Sequence, residues 1–153
     1  MAIAELNKKV FIEPILATSG VTFSSENMQN KKIILYFYPK DNTPGCTNES
    51  INFSESYTDI KDRNAIVFGI SRDSLRSHEN FKAKFNMPFN LIADPEELLC
   101  SYFDVMKEKN MYGRKYLGIE RSTFLIDENG ILVKEWRKVK VKGHVSEVIL
   151  SLE

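Results

Sequence analysis

Ile33-Ile34-Leu35-Tyr36-Phe37-Tyr38 is the longest continuous apolar run of the chain, and Pro39 follows it directly. Such a run, ended by a proline, is typical of a β-strand that is buried on both faces. Residues 65–70 form a second apolar run of the same kind. Neighbouring buried strands of this type are joined by a helix, so we expect a strand, a helix and a strand over residues 33–70.

The segment between these strands has the pattern of an amphipathic helix. Cys46, Ser50, Phe53, Tyr57 and Ile60 fall on one helical stripe, and polar residues fall opposite. The start of this helix is well marked. Thr43 suits the N-cap position, Pro44 suits the first helical position, and Cys46 is then the third residue of the helix.

The remaining elements are predicted less sharply along the chain. Residues 11–16 and 21–23 are candidates for short strands around a turn at Ser19-Gly20. Helices are expected over 75–85, 95–103 and 144–152, and a hairpin over 122–127 and 131–136. This order resembles that of the thioredoxin fold. We therefore expect an α/β, thioredoxin-like fold with a mixed central sheet flanked by helices.

The composition excludes several classes of protein. The 153 residues carry 21 basic and 21 acidic side chains, so no net charge attracts nucleic acid or an anionic membrane. No apolar segment is long enough for a signal peptide or a membrane span. Two cysteines are too few for a secreted disulfide scaffold. Without any repeat or linker, we expect one cytoplasmic domain over residues 1–153.

Cys46 is the candidate nucleophile, because a thiolate is stabilised by the free N–H groups of a helix's first turn. Lowering a cysteine pKa from about 8.5 to about 6 requires roughly 3.4 kcal/mol. A helix terminus supplies at most about 2 kcal/mol, so a cation must help. Arg121 is that cation if the strand that follows it lies beside the first strand. A buried, inert cysteine is the alternative.

The segment Phe37-Tyr38-Pro39-Lys40-Asp41-Asn42-Thr43-Pro44-Gly45-Cys46 resembles the active-site segment of a peroxiredoxin, with its Pro-x-x-x-Thr-x-x-Cys pattern. Arg121-Ser122-Thr123-Phe124-Leu125-Ile126-Asp127 resembles the segment that carries the family's arginine. Residues 111–114 and 139–144 are similar to the bacterioferritin comigratory protein, or Q-type, branch. The similarity covers residues 31–153, whereas the first thirty residues lack the family's usual Ala-Pro-Asp-Phe opening.

The resemblance implies a thiol-dependent peroxidase that reduces hydrogen peroxide and organic hydroperoxides through a sulfenic acid on Cys46. It implies that Thr43 and Arg121 act with Cys46, that Pro39 shields the thiolate, and that Glu49 orients the arginine. Taken alone, Glu49 is a solvated acid in a first helical turn. The implied reductant is thioredoxin or glutaredoxin with glutathione. We expect a monomer, no cofactor and no metal site, because the two histidines and two cysteines are scattered.

Two other functions fit the same fold. A thiol–disulfide oxidoreductase requires Cys-x-x-Cys, whereas this chain has Cys46-Thr47-Asn48-Glu49. A binding module without catalysis would leave Cys46 unreactive to dilute peroxide.

The residue that resolves the sulfenic acid is the open point of the resemblance. Many relatives carry a resolving cysteine five residues after the reactive one, where this chain has Ile51. Others carry it in the following helix, where this chain has Phe81, Lys82 and Ala83. Cys100 is the remaining possible resolving residue. A helical wheel places it on the flank of its helix, so we expect it to be partly exposed, and we expect an external thiol to act instead.

Overall fold

A computed structural model describes residues 3–27 and 30–153. Two short strands, β1 and β2, flank a 3-10 turn at Thr18–Gly20 and precede the central elements. The elements are, in chain order, β1 Ile15–Leu16, β2 Thr22–Phe23, β3 Lys32–Phe37, α1 Pro44–Glu55, α2 Tyr57–Asp62, β4 Ala65–Ser71, α3 Leu75–Lys84, β5 Asn90–Ala93, α4 Leu98–Tyr102, β6 Met106–Met111, β7 Arg114–Ile119, β8 Ser122–Ile126, β9 Leu132–Trp136 and α5 His144–Leu150.

The central sheet has five strands in the order β5-β4-β3-β8-β9. The strands β5, β4 and β3 run parallel, whereas β8 pairs antiparallel with β3 and β9 pairs antiparallel with β8. The apolar run of β3 lies in the middle, which explains why it is buried on both faces. This mixed sheet with flanking helices is the thioredoxin-like arrangement that the sequence predicted.

Alternate residues of β3 divide the interior into two cores. Leu35 and Phe37 belong to one core, whereas Tyr36 and Tyr38 belong to the other. Side chains of a strand alternate between the faces of a sheet, so the two cores lie on opposite faces. Cys46 packs into the core of Tyr36 and Tyr38, whereas Cys100 packs into the core of Leu35 and Phe37.

Most predicted elements are confirmed within a few residues, and the differences have local causes. The N-terminal pair is confirmed only over Ile15–Leu16 and Thr22–Phe23, since residues 11–14 form no strand. The first helix is interrupted at Ser56, which separates α1 from α2. The helix expected from residue 95 begins only at Leu98, because Glu97 adopts a left-handed backbone with φ of 62°.

The sequence missed the strand β5 and the hairpin of β6 and β7. This hairpin forms a separate two-stranded sheet, and its tip is the turn Tyr112-Gly113. None of the helices in the described part of the chain combines the length and the apolar character that a membrane crossing requires.

Candidate active site

Cys46 is the third residue of α1, as the sequence predicted, and its side chain is only 1% exposed. Pro44 occupies the first helical position, where its missing N–H costs nothing. Gly45 allows a second side chain to approach the thiol closely. A Cβ atom at this position would lie 3.3 Å from Nη2 of Arg121. The helix start therefore places a buried thiol beside a backbone that leaves room for a guanidinium group.

Arg121 is the cation that is needed, in addition to the helix terminus, to stabilise a thiolate at Cys46. It precedes β8, and the antiparallel register pairs Ser122 with Phe37 at the end of β3. This pairing brings the guanidinium group to the start of α1. Its Nη2 atom donates to the Cys46 sulfur at 3.4 Å, and its Nη1 atom donates to Oε1 of Glu49 at 2.6 Å. The predicted position of Arg121 beside the thiol is therefore found in the structure.

Glu49 is fully buried, so the interpretation of this residue as a solvated acid is wrong. Burial raises the pKa of Glu49 to about 7, although the positive charge and hydrogen bond of Arg121 act in the opposite direction. Within residues 3–27 and 30–153, Oε2 of Glu49 has no hydrogen-bond partner, which leaves half of the carboxylate uncompensated. This explains how a paired carboxylate can still have a raised pKa.

Arg121 is stabilised as a cation by the groups around it. Burial lowers the pKa of Arg121, but the negative charges of Glu49 and of the Cys46 thiolate outweigh this and raise it above its ordinary value. Its side chain is 16% exposed, so water screens the pair only in part. A permanently charged guanidinium group therefore faces the thiol.

Thr43 lies at the N-cap position with an extended backbone, but its side chain does not cap the helix. Its hydroxyl instead donates to the carbonyl oxygen of Lys40 at 2.9 Å. The predicted N-cap position of Thr43 is therefore confirmed, although its hydroxyl makes no hydrogen bond to the first turn of the helix. Because the hydroxyl hydrogen is already used, the Thr43 oxygen presents only its lone pairs to an incoming molecule. Pro39 is half-buried two residues after the end of β3 and begins the loop that leads to Thr43.

Cys100 is fully buried, so the expectation that it is partly exposed is wrong. Its backbone N–H donates to Oδ2 of Asp94 at 2.8 Å, which draws the start of α4 inward. Burial raises the pKa of the Cys100 thiol, and the negative charge of Asp94 raises it further. The central sheet separates Cys100 from Cys46, because the two belong to cores on opposite faces. The structure does not bring these two cysteines together.

Lys109 is a second basic residue that interacts electrostatically with the site, and no sequence pattern singles it out. Burial lowers the pKa of Lys109, the positive charge of Arg121 lowers it further, and the Cys46 thiolate opposes the change. Lys109 lies on β6, in the hairpin that the apolar pattern did not predict. The similarity of residues 111–114 to the Q-type branch lies in the same region of the chain.

The family model of the AhpC/TSA family matches residues 7–135 of this chain. Peroxiredoxin Bcp of Bacillus subtilis is 50% identical over 88% of this chain and 85% of its own length. A putative peroxiredoxin bcp of Coxiella burnetii is 46% identical over 95% of this chain and 96% of its own length.

A solved structure gives the same assignment. The bacterioferritin comigratory protein of Xanthomonas campestris was studied for alkyl peroxide reduction in trapped intermediate and ligand complexes. It superposes with a TM-score of 0.90 at 44% identity, covering 99% of this chain and 97% of that one. A buried thiol at a helix start, an arginine in contact with it and these similarities agree. The chain belongs to the AhpC/TSA family, in its Bcp or Q-type branch of peroxiredoxins, and is a thiol-dependent peroxidase.

Proposed function

We propose that the chain reduces hydrogen peroxide and organic hydroperoxides, with Cys46 as the nucleophile, as a single domain over residues 1–153. The contact of 3.4 Å between Nη2 of Arg121 and the Cys46 sulfur is the observation that carries this proposal. The thiolate attacks one peroxide oxygen, an S–O bond forms and the O–O bond breaks. Cys46 becomes a sulfenic acid, and the other oxygen leaves as water or an alcohol after it gains a proton.

The thiolate fraction alone cannot account for rapid peroxide reduction. Lowering a thiol pKa from about 8.5 to about 6 raises the thiolate fraction at pH 7 only about thirtyfold. A lower pKa also makes the thiolate a weaker nucleophile. The remaining acceleration must come from alignment of the peroxide and from stabilisation of the charge on the departing oxygen.

Each of the neighbouring groups has a distinct part in that alignment. The Thr43 oxygen accepts the peroxide O–H, which fits a hydroxyl whose own hydrogen is bonded to Lys40. The guanidinium group of Arg121 and the Cys46 backbone N–H stabilise the charge on the departing oxygen. Glu49 orients Arg121 through the hydrogen bond of 2.6 Å. Pro39 shields the thiolate from water.

An external thiol recycles the Cys46 sulfenic acid in this proposal, supplied by thioredoxin or by glutaredoxin with glutathione. The burial of Cys100 and its place on the opposite face of the sheet favour this route over an internal disulfide. A disulfide needs Cα atoms within about 7 Å, and the sheet intervenes here. We place the protein in the cytoplasm, because a reducing compartment suits a thiol enzyme. We further propose that it acts as a monomer.

The proposal is tested with Cys46→Ser and with mass analysis of the oxidised protein. Cys46→Ser should reduce peroxide at less than about one tenth of the wild-type rate, because it removes only the nucleophile. Turnover above that level in a folded variant would contradict the assignment. After one equivalent of peroxide, the wild type should gain one oxygen atom, trapped as a sulfenic acid adduct on the peptide that carries Cys46. Cys100→Ser serves as the control and should gain the same oxygen.

A further inference from the structure

The loop of residues 39–43 carries Thr43 but receives no contact from Arg121 among the hydrogen bonds of the described residues. It is held from the opposite side, by α3 and by the turn before it. The backbone N–H of Asp41 donates to Oδ2 of Asp73 at 2.9 Å, and Nζ of Lys84 donates to Oδ1 of Asn42 at 3.2 Å. Asn42 itself has a left-handed backbone with φ of 65°. Such a conformation is uncommon for residues other than glycine and persists only where neighbouring contacts impose it.

The side chain of Asp41 is the centre of this attachment, and it is buried. Its Oδ1 atom accepts from the Tyr38 hydroxyl at 2.6 Å, and its Oδ2 atom accepts from the Ser77 hydroxyl at 2.8 Å. Nδ1 of His78 lies 2.8 Å from the same Oδ2 atom. Three groups, one directly after β3 and two from α3, therefore converge on one carboxyl group that lies two residues before Thr43.

His78 is fully buried at the start of α3. Its Nε2 atom lies 3.0 Å from the carbonyl oxygen of Ile92 in β5. A carbonyl oxygen can only accept, so Nε2 must carry a hydrogen. One further proton must then lie between Nδ1 of His78 and Oδ2 of Asp41, because neither atom could otherwise donate to the other. The imidazole ring thus joins the carboxyl group of the loop to the central sheet.

The same side chains also have the composition of a metal site, but their contacts are those of a hydrogen-bond network. Ligand atoms of Asp41, Asp73 and His78 lie within 4.8 Å of one another. However, the Ser71 hydroxyl and the Asp41 N–H donate to Asp73, while Ser77 and His78 bond to Asp41. The atoms that would bind a metal ion already take part in hydrogen bonds. The cluster therefore holds the loop in place and is not a cation site.

We propose that His78 is a positioning residue for peroxide reduction: by holding Asp41, it fixes the loop of residues 39–43 and thereby the Thr43 oxygen that receives the peroxide. This inference rests on the role proposed above for Thr43. The site is then assembled from two sides of β3. Arg121 and Glu49 set the charge of the thiolate from the side of β8, whereas His78 and Asp41 set the place of the peroxide from the side of β4.

This division predicts a separation between two reactions of Cys46. Reduction of peroxide requires the Thr43 oxygen to be aligned, and a misplacement of about 1 Å can lower such a rate by up to about a hundredfold. Alkylation by iodoacetamide requires the thiolate but no aligned hydroxyl. Loss of the His78 hydrogen bonds should therefore slow peroxide reduction and leave the pH profile of alkylation unchanged. Loss of Arg121 should alter both peroxide reduction and the alkylation profile.

The experiment compares His78→Phe with His78→Asn and with Thr18→Val as a matched control. His78→Phe retains a ring but loses both hydrogen bonds, and His78→Asn retains a donor toward Asp41. Thr18 is buried beside β5, where its hydroxyl donates to Asn90 and accepts from the Leu91 N–H. Thr18→Val therefore removes two buried hydrogen bonds without contact to the loop. Thermal unfolding, the second-order rate with hydrogen peroxide and the alkylation profile are measured for each variant.

We expect His78→Phe to reduce hydrogen peroxide about 10- to 100-fold more slowly, with an unchanged alkylation profile and partial recovery in His78→Asn. Thr18→Val should lose stability but keep the peroxide rate within about twofold. A folded His78→Phe with a peroxide rate within about threefold of wild type would overturn the inference, as would a parallel loss of alkylation. If His78→Phe does not fold, Asp41→Asn replaces it and should show the same separation.

Thr43→Val distinguishes the two proposals. A wild-type peroxide rate in Thr43→Val refutes the role of Thr43. A slow peroxide rate in Thr43→Val together with a wild-type rate in His78→Phe refutes only the role of His78.

Discussion

The buried carboxyl group of Glu49 should make the stability of the protein fall as the pH rises. Burial raises the pKa of Glu49 from 4.5 to about 7 in the folded chain, against the attraction of Arg121. Between these two values the folded state binds a proton that the unfolded state has released. The stabilisation is therefore fully present below about pH 4.5 and is lost as the pH rises through about 7. A shift of roughly 2.5 pH units corresponds to about 3 kcal/mol.

The measurement is urea unfolding of Cys46→Ser with and without the added substitution Glu49→Gln, at several values between about pH 4 and pH 8. The Cys46→Ser background removes the titration of the thiol from both proteins. The stability of the protein that retains Glu49 should fall by about 3 kcal/mol over this range relative to the variant. Glu55→Gln, on the exposed side of α1, measures the effect of removing one charge from this helix. Parallel pH profiles with and without Glu49→Gln, or a difference of opposite slope, would refute the reasoning.

Three further substitutions test other contacts. Arg121→Ala should raise the pH at which half of Cys46 reacts with iodoacetamide, and Arg121→Lys should restore only part of the loss because an ammonium group lacks the planar fork; an unchanged midpoint would remove Arg121 from the mechanism. Gly69→Ala should lower the free energy of unfolding by about 1 to 3 kcal/mol, since its Cβ atom would lie 2.7 Å from the ring of Tyr36; urea unfolding equal to wild type would contradict this. Cys100→Ser should keep most of its turnover with a small thiol as reductant, and a dominant Cys46–Cys100 crosslink in non-reducing peptide mapping of the wild type would show the opposite.

The parts of the fold that the sequence predicted well are those where two independent signals agree. The apolar run of β3 and its terminal proline give the same boundary, and Thr43 and Pro44 mark the start of α1 within one residue. The position of Arg121 could also be inferred, because the pairing of β3 with β8 places the residue before β8 near the end of β3. In each case a local signal and the topology point to the same place.

The hairpin of β6 and β7 was missed because its strands do not alternate between apolar and polar residues. β6 reads Met-Lys-Glu-Lys-Asn-Met, and most of β7 is exposed. Periodicity reports burial, so a hairpin that leaves both of its faces largely in water gives little signal. A turn signal was nevertheless present. Tyr112 and Gly113 have φ values of 53° and 79°, as a two-residue hairpin turn of type I′ requires, and glycine is favoured there.

The helix that contains Glu49 was predicted correctly, but the burial of its side chain was not. Glu49 follows Cys46 by three residues, so both lie on the same face of α1. An acid at this position is solvated unless a cation reaches it, and the cation comes from residue 121. The same holds for Asp41 and His78, which are separated by 37 residues and meet through the packing of α3. Charged groups are buried in pairs, and the sequence gives no distance between the members of a pair.

Cys100 was misplaced because the helical wheel counted Leu98 as part of the buried face, whereas Leu98 is exposed and Leu99, Cys100 and Phe103 are buried. The left-handed Glu97 delays α4 until Leu98, and Asp94 accepts hydrogen bonds from Leu99 and Cys100. These bonds turn Cys100 into the core. Burial and the charge of Asp94 disfavour its thiolate, which is the form that attacks a sulfenic acid. Cys46 and Cys100 also lie on opposite faces of the sheet. An internal disulfide would thus require Cys100 to leave its core, lose the hydrogen bond to Asp94 and reach the other face of the sheet. The free energy needed for this approaches that of local unfolding of α4 and its surroundings. A thiol from another molecule needs access to the first turn of α1 but no displacement of the central sheet, and this is why we propose that an external thiol resolves the sulfenic acid.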